Sequence, residues 1–260
     1  AGNELFRVSR VIPYDVPFPS AAVFETGSLM LVHAFDGLVE FFDRSGTLRH
    51  TLRPVKEPGA EYERIIAVAV HDSIAALLVS EPTAETTVFS VLTDRAEILA
   101  TREVDGTTVS GIVLSNNALT AAAGVYGWKE SRLLEQTHFL SSRGELRGSV
   151  EAGFIAGAFS PDDTQFLGLT KRQAAVIGVA GPTILFSLAA GEGTMFVDGA
   201  WNGSEAVLLS ANLPVLQDGR WIYSHPVLRQ VSRDGGVKLL QEIPSAEFSS
   251  ASLEHLGDQV

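Results

Sequence analysis

Acid–base or metal chemistry in this chain would have to come from its six histidines and its carboxylates, because the sequence has no cysteine. Without cysteine there is no disulfide, no thiolate metal site and no cysteine nucleophile. The histidines are dispersed as His33, His50, His71, His138, His225 and His255, and no two stand at HxH or HExxH spacing. That dispersal favours packing and surface roles over a metal cluster. Serine is common, yet no GxSxG sequence marks a nucleophile elbow. Gly191-Glu192-Gly193 lacks a following helix, so it reads as a connecting loop rather than a dinucleotide cradle. Asn202-Gly203-Ser204 is a formal glycosylation sequon set in a tight turn. The acidic run EPGAEYE at 57–63 reads as a solvated connector. No resident cofactor or metal is expected from these patterns.

Recognition chemistry has better raw material. Val125-Tyr126-Gly127-Trp128-Lys129-Glu130 reads as a long aromatic loop, and so does the stretch from Leu213 to Tyr223, LPVLQDGRWIY. Exposed Trp, Tyr and Arg on loops are what protein interfaces and sugar-binding surfaces use. Tyr126, Trp128, Lys129, Arg220, Trp221 and Tyr223 are therefore the candidate binding residues. The competing reading makes Trp221 and Tyr223 packed strand residues. Trp201 aligns with Phe159 and reads as core.

Charge narrows the partners. A formal net charge of −12 leaves no basic face for phosphates, which argues against nucleic acid or an anionic membrane surface. Apolar residues make up 45 % of the chain, ample for a core. No apolar run reaches the roughly 18–20 residues of a membrane helix. The chain starts at Ala1 rather than Met, and it lacks cysteine. Both fit an exported periplasmic or cell-envelope protein as well as a cytoplasmic one.

The elements that must position these residues are strands. Short runs of Val, Ile, Leu, Phe and Thr alternate with Gly, Pro, Asp, Asn and Ser clusters every 8–12 residues or so, and helical signals are nearly missing. In IAGAFSPDDTQFLGLT, residues 155–170, a small-residue strand meets a Ser160-Pro161-Asp162-Asp163 turn and a second strand. Turns following such small-residue strands recur at Gly27, Asp72, Asn116, Asp162, Gly203 and Gly257, at intervals of 45, 44, 46, 41 and 54 residues. A period near 45 is that of a four-stranded propeller blade, whose innermost strand crowds the central axis. A second set of polar turns, such as Arg44-Ser45-Gly46 and Ser142-Arg143-Gly144, divides the other half of each unit. The N-terminal LFRVSRVIPYDVP resembles LRQVSRDGGVKLLQEIP near the C-terminus, which places two outer strands of a blade at the start of the chain. The expectation is one all-β domain over residues 1–260: six four-stranded blades, or alternatively seven. The N-terminal strands complete a blade whose inner strand is 248–256. The abrupt end at Val260 fits either a very short last strand or a chain cut at its C-terminus.

AFSPDDTQFL, Ala158 to Leu167, resembles the Phe-Ser-Pro-Asp-Gly motif of TolB-like and WD-repeat β-propellers, with Asp163 at the usual glycine. The resemblance covers this blade closely and the others by period; no blade carries a Trp-Asp or Gly-His pair. It implies a fold, and propellers host several classes of function. Three readings follow. The first is a non-enzymatic platform for a protein partner, with the two aromatic loops flanking the fourth blade on one rim. The second is a sensor holding a glycan or small molecule, which requires Trp128, Trp221 and Arg220 to face solvent near the axial mouth. The third is a propeller-scaffold hydrolase or lyase, which requires convergence of groups such as Asp198, His71 and His255.

Overall fold

The computed structural model describes residues 20–33, 38–53, 66–81, 86–106, 108–129, 132–232 and 235–249. The N-terminal outer strands, the acidic run 57–63, His255, Gly257 and the strand expected through 256 lie outside these residues. Every regular element among the described residues is a β-strand. The chain divides into two compact units, Ala1–Glu151 and Ala152–Val260.

The first unit holds three antiparallel four-stranded sheets, each a simple meander. Sheet one is β1 (Ser20–Val23), β2 (Leu29–Val32), β3 (Val39–Phe42) and β4 (Leu48–Leu52). Sheet two is β5 (Ile66–His71), β6 (Ile74–Glu81), β7 (Thr86–Thr93) and β8 (Ile98–Asp105). Sheet three is β9 (Thr108–Leu114), β10 (Thr120–Lys129), β11 (Arg132–Ser141) and β12 (Leu146–Val150). The sheets stack face to face. Phe24, Met30, Val32, Val39 and Phe41 of sheet one and its first turn pack on Ala75, Leu77, Val79 and Leu92 of sheet two. The opposite face of sheet two, with Ala76, Leu78, Phe89 and Val91, packs on Ile112, Ala121, Ala123, Val125 and Leu140. Strands apolar on both faces are what such stacking requires, and β6 is buried at every position from Ala75 to Ser80. Burying each Phe or Leu here contributes about 1.5–3 kcal/mol.

The second unit repeats the plan. Sheet four is β13 (Ala156–Phe159), β14 (Gln165–Leu169), β15 (Gln173–Gly178) and β16 (Thr183–Ala189). Sheet five is built from β17 (Thr194–Asn202), β18 (Glu205–Asn212), β21 (Val227–Val231) and β22 (Val237–Glu242). Leu167, Leu169, Ala174 and Val176 of sheet four pack on Phe196, Trp201, Leu208 and Val231 of sheet five. Between β18 and β21 runs a hairpin, β19 (Val215–Gln217) and β20 (Arg220–Ser224), which pairs with β23 (Glu247–Phe248) as a three-stranded sheet. The described start of the strand expected from Phe248 joins the inserted hairpin, through Tyr223 opposite Phe248.

Turn chemistry explains the repeat. In the corners between third and fourth strands, one side-chain oxygen holds two backbone N–H groups and the fourth residue is left-handed. Asp43 Oδ1 accepts from the N–H of Ser45 (2.8 Å) and Thr47 (3.1 Å). Thr93 Oγ1 does the same for Arg95 and Glu97, and Ser141 Oγ for Arg143 and Glu145. The left-handed residues are Gly46, Ala96 and Gly144. Asp163, standing at the motif's glycine, likewise has φ +56°. Short polar side chains tolerate that region better than most.

The smallness of the inner strands has a local cause in sheet four. A Cβ on Gly157 would lie 2.5 Å from Cζ of Phe166 and 2.8 Å from the Leu167 carbonyl oxygen. Phe166 is itself fully buried, with ring centroids of Phe154 and Phe159 at 4.9 and 5.1 Å. Trp201 occupies the place of Phe159 in the next sheet, as expected of a core residue; it is buried and donates from Nε1 to the Ala158 carbonyl at 2.9 Å.

Candidate functional site

Both stretches expected to be aromatic loops are strands. Tyr126, Trp128 and Lys129 belong to β10, which pairs with β11 along its whole length, Thr120 opposite Ser141 through Lys129 opposite Arg132. The pairing of β10 with β9 stops at Tyr126, and that of β11 with β12 begins only at Thr137. The tip is therefore a two-stranded ribbon reaching about 10 Å past β9, at ~3.4 Å per residue. Alternation decides what it shows. Val125 points into the core shared with sheet two, while Tyr126 and Trp128 share the opposite face of the strand. Trp128 is 69 % exposed and faces Leu133, 43 % exposed, directly across the ladder. Tyr126 faces the exposed Glu135. From the ribbon's tip, where Arg132 stands opposite Lys129, the Arg132 guanidinium reaches Glu151 at 3.4 Å, a surface pair of small energetic weight.

Arg220, Trp221 and Tyr223 belong to β20. The turn Gln217-Asp218-Gly219-Arg220 has φ +50° at Asp218 and +76° at Gly219, the left-handed pair that a two-residue hairpin needs. An Asp-Gly dipeptide flanked by apolar residues is a strong hairpin signal, and it was present in the sequence. Register sorts the side chains into two faces. Leu216 opposite Trp221 and Tyr223 opposite Phe248 make one apolar face, with Tyr223 and Phe248 stacked at 5.3 Å and 18°. Trp221 on this face is 57 % exposed. Gln217 opposite Arg220, Val215 opposite Ile222 and Ser224 opposite Glu247 make the other. Over that second face lies a hollow of about 560 Å³ bounded by Gln217, Asp218, Arg220, Ile222, Glu247, Phe248 and Ser249. Trp221 is a strand residue, as the competing reading had it, with more than half its surface meeting solvent. Tyr223 is half-buried against Phe248.

The histidines take individual roles. His33 Nε2 lies 2.9 Å from Oε2 of the buried Glu40, so this carboxylate in sheet one has a partner. His71 Nε2 is 3.9 Å from Asp72. His138 is buried on β11, with Nε2 donating to the Asp105 carbonyl at 3.4 Å. Burial pushes its pKa below the ordinary 6.5, against the smaller raising effect of that hydrogen bond. His225 pairs with Glu242 at 2.5 Å. Asp198, on inner strand β17, accepts from the Gly199 N–H at 2.8 Å. Among the described residues no group of three His, Asp or Glu is placed to hold a metal ion. The feature that motif reading missed is the cleft beside His225, where Ser210 and Asn212 of β18 meet Arg229 of β21 with no shared sequence signature.

Stacked four-stranded antiparallel meanders with this corner chemistry define a β-propeller. Solved structures support the class. The chain is similar to a chain of the hydrazine synthase of Kuenenia stuttgartiensis (TM-score 0.57, 18 % identity), covering 88 % of this chain and 67 % of that one. It is similar to a chain in the crystal structure of the mitotic checkpoint complex (TM-score 0.62, 14 % identity), covering 93 % of this chain and 72 % of that one. The Dos1 propeller is also similar (TM-score 0.60, 10 % identity), with 87 % of this chain and 60 % of that one covered. No family model matches the chain, and no curated protein matches it.

Proposed function

We propose that this chain is a non-enzymatic propeller that docks a protein partner through its projecting aromatic strands. The observation that carries the reading is the tip of the β10–β11 ribbon, where Trp128 stands 69 % exposed beside Leu133 on a surface no neighbouring strand of its sheet covers. A Trp on a rigid ladder offers large contact area at low entropic cost, the property of interface hot spots. The β19–β20 hairpin presents a second such surface through Leu216 and Trp221. One of the similar folds comes from a multi-protein complex and another from an enzyme, so fold alone does not choose. The finer architecture in this proposal is a single domain of six blades, supported by the period near 45 residues and by the likeness of the two chain ends. The hollow beside Arg220 and Glu247 favours, as a second reading, a small ligand or glycan held by the inserted hairpin.

The test is site-specific photo-crosslinking in the native cell, with the probe at 128, at 221, or at the exposed edge-strand position 103. Discrete protein adducts from 128 or 221 and none from 103 are the expected result. Equal labelling at all three positions, or none at any, would overturn the docking reading. Adducts to a glycan or small molecule at 221 alone would move the conclusion to the second.

A further inference from the structure

A cleft of about 260 Å³ in sheet five opens among Ser210, Asn212, His225, Val227, Arg229 and Glu242. Its central charge is Arg229. On β21 this residue stands between Leu208 and Leu239, on the same face as the buried Val227 and Val231, so its stem rises out of the apolar core. Its NH1 donates to Oγ of the buried Ser210 at 2.5 Å. A guanidinium carries five donors, and among the described residues Arg229 makes no ion pair. The carboxylate lining the same cleft is already engaged: Glu242 Oε1 lies 2.5 Å from His225 Nε2. His225 is held there by its backbone, at φ +56° ahead of Pro226, with its N–H donating to the Ala246 carbonyl. The arrangement keeps a carboxylate off an arginine that could otherwise claim it.

A part-buried guanidinium with unused donors is a site for an oxyanion. We propose that the Arg229 cleft binds a short-chain monocarboxylate. Its carboxylate takes the free guanidinium edge, and its short apolar tail lies against Val227, Ala211 and Leu239. Ser210 and Asn212 border the polar end. The cleft lies just below the roughly 300–1,000 Å³ of pockets that hold drug-sized ligands, so it suits a small occupant such as a short-chain carboxylate. Two observations favour a single negative charge over a phosphate dianion: Glu242 sits on the rim, and the chain carries a net charge of −12. This inference is independent of the docking reading.

The experiment is an NMR titration of the full chain with butyrate, and separately with inorganic phosphate, followed at the backbone amides. Butyrate should give saturable shifts centred on Ser210, Ala211, Asn212 and Arg229, with phosphate binding more weakly. Arg229→Gln should weaken butyrate about tenfold or more, as loss of charge-assisted hydrogen bonds implies. Glu242→Gln removes a rim charge and should tighten binding. Shifts that do not saturate, an Arg229→Gln variant that is folded yet binds as the parent does, or phosphate binding more tightly than butyrate would each overturn the proposal. Glu242→Gln decides the matter should Arg229→Gln fail to fold: tighter binding supports the site, and unchanged affinity overturns it.

Discussion

At the scale of single residues, His138 makes the fold sensitive to acid. Its ring is buried on β11 beside Ala123, with Nδ1 lacking a hydrogen-bond partner. Burial lowers its folded pKa below the unfolded value of 6.5. As the pH falls through 6.5 the unfolded chain takes up a proton that the folded chain refuses, so the stability this neutral ring contributes is present above 6.5 and is lost below it. The urea midpoint of the parent should drop between about pH 7.5 and 5 by more than that of His138→Leu; equal drops would remove His138 as the cause. Gly157 is the steric counterpart. Gly157→Ala forces a methyl against the Phe166 ring and the Leu167 carbonyl, and should cost about 1–3 kcal/mol in chemical denaturation. A variant as stable as the parent would mean that the Phe154–Phe159–Phe166 cluster gives way freely.

At the scale of elements, corners and ribbons behave differently. In the Ser160 corner the hydroxyl is fully buried, donates to Asp162 at 2.7 Å and accepts from the Gln165 N–H at 3.0 Å. Ser160→Ala leaves a buried N–H without that partner and should lower stability by about 1–3 kcal/mol, read as a shift in denaturant midpoint. Trp128→Ala, on the exposed ribbon, should stay within about 0.5 kcal/mol of the parent; a larger loss would make Trp128 a structural residue. These two stretches also show what the sequence disclosed. The Ser-Pro-Asp turn could be read directly, because side-chain-to-backbone bonding is local and leaves a composition signature. The β10 ribbon reads as a loop in sequence because Tyr126-Gly127-Trp128-Lys129 mixes a glycine with polar and aromatic residues. Its strand character comes from the cross-strand partners Leu133 and Glu135. The Asp218-Gly219 hairpin is legible in sequence, since Asp-Gly supplies the two left-handed residues its turn needs. The Arg229 cleft was not legible at all, since its residues meet only through the register of sheet five.

At the scale of the whole molecule, the charge of −12 acts on every state of the chain. Folding gathers those charges more closely than the unfolded coil does, so self-repulsion opposes the compact state. Raising sodium chloride from about 10 to 150 mM shortens the Debye length from roughly 30 to 8 Å and should raise the Tm; an unchanged or lower Tm would show that favourable local pairs outweigh the repulsion. Among the described residues the repeating meander confines pairing to neighbouring strands except at the hairpin inserted between β18 and β21. That hairpin leaves and rejoins sheet five at Asn212 and Ser224, whose side chains meet at 3.3 Å. A segment whose two ends nearly touch can be lengthened, exchanged or removed without stretching the strands that flank it. Sheet five thus carries a grafting port, through which a recognition element can be replaced while the scaffold that bears it stays the same.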